Sequence, residues 1–213
     1  MAKFLNHLLS KYANNIPNQV LNSSNVKRNI LSLNTPPEVY STYTILSLDI
    51  VSLFPSVEVD RAIDIVCNLY AHDNDIEFPD ITPKILKDLL DWACITVFYF
   101  KNQVYKQIKG LPMGLAISPL LANIFLHHVI ELDPKFDSPY IALYNRYVDD
   151  CLVLWKGPPE TIDPYVSNLN LINPSIYLFI YSNSHSAQRA IKRIHIRRYK
   201  KQEGRQSIKC ANR

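Results

Sequence analysis

Residues 140–155 read YIALYNRYVDDCLVLW, a run of aromatic and aliphatic residues that contains two adjacent acids, Asp149 and Asp150. Adjacent carboxylates repel each other and resist burial in apolar surroundings. The apolar residues on each side predict two strands joined by a tight acidic turn. This stretch alone leaves open whether the acids occupy a solvated hairpin turn or a metal site.

A second predicted strand carries an acid near its end. Residues 44–50, TILSLDI, are mostly apolar and partly β-branched, which predicts a buried strand containing Asp49. Taken alone, Asp49 is better explained as a strand-end turn residue than as a ligand. If this strand and the hairpin are neighbours in one sheet, three carboxylates converge, and divalent cations relieve the repulsion between them. Two such ions about 3.5–4 Å apart support in-line nucleotidyl transfer.

The rest of the chain predicts an α+β fold, with helices beside an antiparallel sheet. VDRAIDIVCNLY (59–70) has helical spacing, and Thr82-Pro83 is a helix start. TVFYFKNQVYKQ (96–107) predicts two short strands joined at Lys101-Asn102, and Ser118-Pro119 opens another helix after a loop from Gly110. The residues expected to point inward from the helix after Thr82 are Ile85, Leu86, Leu89, Leu90 and Ala93.

Other segments have weaker patterns. Residues 1–40 predict a short amphipathic helix followed by polar loops, including NSSN (22–25). His127 and His128 fall within a predicted helix, and we expect one to be packed and one exposed, without a partner acid. Arg146, just before the acids, is compatible with an ion pair or with a nucleic-acid contact. After about residue 181 the apolar pattern ends, apart from a possible basic helix around 186–198.

Composition indicates a globular protein of one domain, or one and a part. The 213 residues are 47% hydrophobic and 20% charged. Four scattered cysteines without a CxxC pair favour reduced thiols in an intracellular protein, either nuclear or cytoplasmic. The first residues make a poor signal peptide, and no stretch reaches the roughly 18–20 apolar residues of a membrane span. We therefore expect no membrane partner.

Charge is distributed unevenly along the chain. Ten of the 23 Lys and Arg residues and only one of the 19 acids lie between Arg189 and Arg213. The remainder, with 13 bases and 18 acids, is net acidic. Such a basic tail is typical of a solvated arm and is able to contact nucleic-acid phosphates.

Three motifs together resemble the central palm motifs of reverse transcriptases. They are SLDIVSLFPSV (47–57), GLPMGLAISPLLANIFL (110–126) and YVDD (147–150), in this order and spacing. Their extended forms are most similar to Penelope-like retroelements, over about residues 40–181. The resemblance implies a reverse-transcriptase-type palm, an antiparallel sheet with helices packed on one face, plus partial fingers. The implied domains are 1–43 (partial fingers), 44–181 (palm) and 182–213 (a basic tail).

The resemblance also implies roles for individual residues. Asp49, Asp149 and Asp150 would be catalytic and, with Ile50, would hold two Mg²⁺ ions, or Mn²⁺ in their place. Phe54 would pack under the incoming sugar and select deoxynucleotides. The residues implied to contact substrate are Ile50, Val51, Ser52, Leu53, Phe54, Pro112, Met113, Gly114 and Tyr147.

The implied activity is RNA-directed DNA polymerisation, in which a DNA primer is extended with dNTPs on an RNA template. GLAIS (114–118) departs from the usual GSPLS, so an apolar residue replaces a polar loop contact. Basic fingers residues, a fourth motif with its lysine, a primer grip, a thumb and an endonuclease domain are expected in a full-length element, and we do not find them here. We therefore expect a truncated palm. A catalytically inactive relic with residual nucleic-acid binding and, less favoured, an RNA-dependent RNA polymerase remain alternatives.

Overall fold

The computed structural model describes residues 1–33, 35, 36, 39 and 42–182, without the side chains of residues 181 and 182. The basic tail, including the predicted helix around 186–198, lies outside these residues. The described chain forms two compact units that alternate along the sequence. The helical unit comprises residues 1–17, 50–137 and 165–178, and the sheet unit comprises residues 18–49, 138–164 and 179 onward. The predicted division into fingers, palm and tail remains a prediction.

The elements follow the sequence patterns closely. The helices are α1 (Ala2–Asn14), α2 (Ser23–Ser32), α3 (Leu53–Ser56), α4 (Val59–Ala71), α5 (Pro83–Cys94), α6 (Ser118–Leu126) and α7 (Ile162–Leu169). The strands are β1 (Thr44–Ile50), β2 (Val97–Phe100), β3 (Gln103–Lys106), β4 (Ile141–Tyr147), β5 (Asp150–Trp155) and β6 (Leu178–Ser182). All the strands predicted from the sequence are present, and the fold is α+β, as predicted.

A four-stranded sheet, in the order β4-β5-β1-β6, forms the centre of the sheet unit. β5 pairs antiparallel with both β1 and β4. Its residues therefore alternate between two faces that it shares with its neighbours. A short segment pairs with the other edge of β4, where Val20 N–H donates to the Arg146 carbonyl and Arg146 N–H donates to the Asn18 carbonyl, both at 2.9 Å.

Helix α2 corrects the prediction of polar loops in this region. The Asn22 side chain accepts from the backbone N–H groups of Ser24 and Asn25 and so begins the helix within NSSN. Ile30 then packs against Ile45 and Leu154 on the sheet. This tertiary burial stabilises a helix whose sequence is too polar to predict it.

The helical unit contains α1 and the helices between Leu53 and Leu126, whose apolar faces are buried against one another. Thr82 caps α5 by accepting from the Ile85 N–H, as predicted. Ile85 itself is exposed, which corrects its predicted inward position, whereas Leu86 and Leu90 are fully buried. The sequence therefore predicted the buried face of this helix correctly except at Ile85, near its start.

Helix α6 continues into a wider turn over His127–Glu131, in which the Leu132 N–H bonds to the His127 carbonyl five residues earlier. His127 Nδ1 lies 2.9 Å from Glu131 Oε2. The prediction that neither histidine has a partner acid was wrong, because a residue four positions along the same helix supplies one. Both rings are partly buried, which corrects the prediction that one is packed and the other exposed.

None of the helices in the described part of the chain combines the length and the apolar character needed to cross a membrane.

Candidate functional site

Two of the three predicted catalytic acids face each other in the sheet unit. Asp49 on β1 is the direct partner of Asp150 on β5, and Asp150 is also the direct partner of Tyr147 on β4. Directly paired residues of antiparallel strands project from the same face. This face, called here the carboxylate face, is covered by α2 further along the strands, where Asn29 Nδ2 donates to Asn145 Oδ1. The ends that carry the two acids and the tyrosine stay accessible.

Electrostatics couples all three acids. Loss of hydration, and then the negative charges of Asp149 and Asp49, raise the pKa of the Asp150 carboxyl above its ordinary value. The three carboxylates therefore form a site of mutual repulsion that a cation would relieve.

The YVDD turn is fixed from the opposite face of the sheet. Arg146 is 0% exposed, and its Nη1 donates to the Val148 carbonyl at 3.2 Å. The buried Cys151 thiol lies 3.8 Å from the Asp149 carbonyl oxygen. Val148 has a φ of 56°, which is uncommon for a β-branched residue and costs roughly 1–3 kcal/mol. Buried contacts thus hold a strained turn that presents the acids.

The donor set of the carboxylate face fits a hard divalent cation, because Mg²⁺ and Mn²⁺ prefer carboxylate oxygens. Within the described residues, however, no three His, Cys, Asp or Glu side chains are grouped closely enough to hold an ion as they stand. Asp49, Asp149 and Asp150 would therefore have to turn toward a common point when an ion binds.

The residues that follow Asp49 belong to the helical unit. Ile50 is buried, and Val51 N–H donates to the Tyr177 carbonyl at 2.9 Å. Ser52 adopts the left-handed conformation, with φ 51° and ψ 47°, immediately before the right-handed turn of α3. Left- and right-handed residues in succession form concave arrangements of N–H groups that suit anions.

The GLPMG loop, also in the helical unit, is docked on the segment that contains Phe54. Leu111 N–H donates to the Phe54 carbonyl at 2.8 Å. A Cβ on Gly110, which has a φ of 75°, would come within 2.5 Å of the Pro55 Cα and 2.7 Å of the Phe54 carbonyl oxygen. The chain therefore needs glycine at residue 110 for both space and conformation.

The remaining predicted loop residues differ in exposure. Pro112 is buried, and its carbonyl accepts from Ser118 Oγ at 2.6 Å. Met113 is 74% exposed, and Gly114 has a φ of 83° with open space where a Cβ would lie. The loop thus has a fixed base and an accessible tip.

Comparison with known proteins identifies the class of this arrangement. A family model described as "Reverse transcriptase (RNA-dependent DNA polymerase)" matches residues 1–172, which is most of the chain. The chain belongs to the reverse transcriptase family. Members of this family are polymerases of the nucleotidyltransferase type. No curated protein matches this reverse transcriptase chain.

Solved structures of telomerases share the fold. An apo telomerase from Candida tropicalis, truncated from the C-terminal domain, matches with a TM-score of 0.63 and 12% identity. The match covers 83% of this chain and 38% of the telomerase chain. A telomerase from Candida albicans, in complex with a TWJ fragment of telomeric RNA, matches with a TM-score of 0.56 and 16% identity, over 83% of this chain and 32% of its own. The reverse transcriptase chain spans about a third of the length of these proteins.

This reverse transcriptase domain has Asp49, Asp150 and Tyr147 in direct cross-strand register in the sheet unit, with Asp149 in the adjoining turn. The other predicted substrate residues lie in the helical unit. They are Ile50, Val51, Ser52, Leu53, Phe54, Pro112, Met113 and Gly114. Sequence reasoning did not identify Arg146 and Cys151 as supports of the turn. Alternation along β4 and β5 would have placed both on the buried face.

Proposed function

We propose that this chain is the RNA-directed DNA polymerase domain of a Penelope-like retroelement, extending a DNA primer on an RNA template with dNTPs. The observation that carries the proposal is the direct pairing of Asp49 with Asp150, together with the coupling of Asp150 to Asp149. Membership of the reverse transcriptase family gives the reaction class. The similarity of the extended motifs to Penelope-like elements supports the narrower assignment.

In this proposal, Asp49, Asp149 and Asp150 hold two divalent cations, with Ile50 contributing its main-chain carbonyl, since its side chain has no ligand atom. When bound, Mg²⁺ (or Mn²⁺) would neutralise triphosphate charge and lower the pKa of the primer 3′-hydroxyl. The carboxylates position the reactants for in-line transfer. They form no covalent bond to the nucleotide.

The segment 50–54 binds the incoming nucleotide. The left-handed Ser52 and the turn that follows it offer main-chain N–H groups to the triphosphate. Phe54 is half-buried, and its ring excludes a ribose 2′-hydroxyl from the sugar site. Selection of dNTPs therefore rests on one aromatic side chain.

The exposed tip of the GLPMG loop contacts the base pair being formed. Met113 has the accessible apolar side chain to pack on a nucleotide, and Gly114 lets the backbone approach closely. Tyr147, exposed beside Asp150 on the carboxylate face, contacts the primer terminus.

Primer extension by the full chain tests the proposal. A labelled DNA primer on an RNA template is mixed with one complementary dNTP and Mg²⁺ or Mn²⁺. We expect addition of one nucleotide by the wild type and by the control Asp137→Asn, an exposed acid. Asp149→Asn should lose about 10²- to 10³-fold in rate, as when an electrostatic stabiliser of a reaction centre is removed.

The same assay separates the alternatives. A folded wild type that adds no more nucleotide than Asp149→Asn would identify an inactive relic. Preferential incorporation of NTPs would identify an RNA polymerase. Either result overturns the proposal for this chain.

A further inference from the structure

The hairpin of β2 and β3, in the helical unit, has no neighbouring strand on either edge. Within the part of the chain that the structure describes, these two strands form a sheet of their own. Lys101 and Asn102 at the tip both have positive φ, as a two-residue hairpin turn requires. A sheet of only two strands is marginally stable in water, and further strands or packing are needed for independent stability. The hairpin would therefore be stabilised by an added strand.

The alternation of hydrogen bonds shows which main-chain groups of β2 point outward. Gln107 N–H donates to the Thr96 carbonyl at 2.8 Å, so these two residues form a hydrogen-bonded pair that continues the register of the hairpin. Such pairs alternate with non-bonded pairs along an antiparallel ladder. The N–H and C=O groups of Val97 and Tyr99 therefore face away from β3, along the outer edge of β2.

The two edges differ in their protection against pairing with another strand. Native sheets protect a free edge with charged residues, especially lysine, or with proline or a bulge. The β3 edge carries Lys106, whose main-chain groups also point outward. Residues 95–100, ITVFYF, contain no charged residue and no proline, and β2 pairs with β3 in a regular register. The β2 edge is therefore the one that accepts a further strand.

A second copy of the same chain fits this edge. An antiparallel arrangement about a two-fold axis places Val97 opposite Tyr99 of the second copy, and Tyr99 opposite its Val97. The outward N–H and C=O groups of both residues are then all hydrogen-bonded. Phe98 meets Phe98 of the second copy at the axis. Because the Phe98 and Tyr105 rings are stacked in the hairpin, with centroids 5.5 Å apart, this pairing extends an aromatic row across both copies.

Charge and area are compatible with a weak, reversible dimer. Lys101 is displaced along the hairpin from the axis, so the two Lys101 residues would lie about 20 Å apart. Ile95 and the four residues of β2 are each more than half exposed. Since a fully exposed aromatic side chain presents about 150–250 Å², these residues leave on the order of 500 Å² of apolar surface on each copy. Burying about 1,000 Å² in total is at the lower limit for a specific interface.

We propose that β2 pairs antiparallel with β2 of a second copy, so that the chain forms a symmetric dimer with one sheet continuous across both hairpins. Val97, Phe98 and Tyr99 are the central interface residues. The inference goes beyond the proposed polymerase activity, because this contact uses neither the carboxylate face nor a nucleotide.

Sedimentation equilibrium of the full chain over a range of concentrations tests the proposal. Val97→Pro removes an outward N–H and none of the hairpin's own hydrogen bonds, and proline is tolerated at such edge positions. We expect it to weaken dimerisation about 10- to 100-fold, because each copy loses one main-chain hydrogen bond to the other. Val104→Pro, which removes an outward N–H from the β3 edge, is the matched control and should leave the dimerisation constant unchanged. Circular dichroism verifies that both variants fold.

Hydrogen exchange of the wild type gives a second readout that needs no variant. Exchange of the Val97 and Tyr99 amides should slow as rising concentration drives dimerisation, whereas exchange of the outward Val104 and Lys106 amides should stay the same. A chain that stays monomeric would leave the β2 edge to a different partner and overturn the proposal. So would a dimer that Val97→Pro leaves intact, or protection on β3 in place of β2. Because no metal ion or nucleotide is present, failure here leaves the polymerase proposal standing.

Discussion

Asp49 and Asp150 are direct cross-strand partners on β1 and β5, a position where two like charges destabilise a sheet. Asp149, the residue immediately before Asp150, adds a third negative charge that contributes to the raised pKa of Asp150. A fold selected for stability alone would place neutral or oppositely charged residues here. The arrangement is expected where the charges serve a bound cation.

Removing one of these charges should stabilise the protein while abolishing activity. A carboxyl whose pKa is raised on folding contributes stability below its unfolded pKa, and this is lost as the pH rises through the folded pKa. Asp150→Asn should therefore melt slightly above the wild type at pH 7.5, on the order of 1 °C because solvent screens the charges. The difference in melting temperature between the variant and the wild type should narrow as the pH falls toward 4, because Asp150 is then increasingly protonated and uncharged. Thermal melts across pH measure this, and a variant less stable than the wild type at pH 7.5 would contradict it.

Arg146 should be one of the more sensitive positions of the sheet unit. Its guanidinium is fully buried and bonds to the Val148 carbonyl, so Arg146→Met should lower the free energy of unfolding by about 2–4 kcal/mol. Arg61→Met is the control, because Arg61 is exposed and its ion pair with Glu58 is long, at 3.8 Å, and also exposed. It should change stability by less than about 0.5 kcal/mol. Urea unfolding compares the two, and equal losses would refute the role given to Arg146.

The two glycines of the GLPMG loop should respond differently to alanine. Both have positive φ, which costs an alanine about 1–2 kcal/mol. Only at Gly110 would the new Cβ also collide with backbone, that of Phe54 and Pro55. Gly110→Ala should therefore destabilise by about 3 kcal/mol or more and Gly114→Ala by about 1 kcal/mol. Chemical denaturation that ranks them equally would mean that the loop is not docked on that segment.

Phe54 should control sugar selection. Phe54→Val opens space beside the sugar, so the ratio of kcat/KM for dTTP to that for UTP should fall about 10- to 100-fold. Phe4→Val, on the exposed side of α1, serves as the control and should leave the ratio unchanged. Single-nucleotide incorporation on one template gives both values. An unchanged ratio in Phe54→Val would remove this residue from the nucleotide site.

Much of the sheet was predictable because its strands follow simple local rules. Apolar runs bounded by turns predicted β1, β4 and β5. The hypothesis that Asp49 shares a metal site with the acids of the YVDD turn required β1 to lie beside this hairpin, as it does. Helix α2 was missed because its stability comes from packing of Ile30 on the sheet, which no local pattern contains. β6 and α7 were missed where the apolar pattern weakens toward residue 181.

The supports of the site were less predictable than its acids. Arg146 is charged, and charged residues are almost never fully buried, so an exposed or paired position was the natural expectation. Its burial follows from the period of the strand, which places it on the same face as Cys151. Gly110 was likewise passed over in favour of Gly114, because only the docked backbone shows which of the two meets a neighbour.

The central claim is that Asp49, Asp149 and Asp150 bind a divalent cation, and Mn²⁺ binding followed by electron paramagnetic resonance tests it most directly. The full chain is titrated as wild type, Asp49→Asn, Asp150→Asn and the surface control Asp137→Asn, with circular dichroism to verify folding. We expect saturable binding in the wild type and control, displacement by Mg²⁺, and at least about 10-fold weaker binding in the other two variants. Equal Mn²⁺ binding by all four proteins would contradict the assignment of these carboxylates as the metal site.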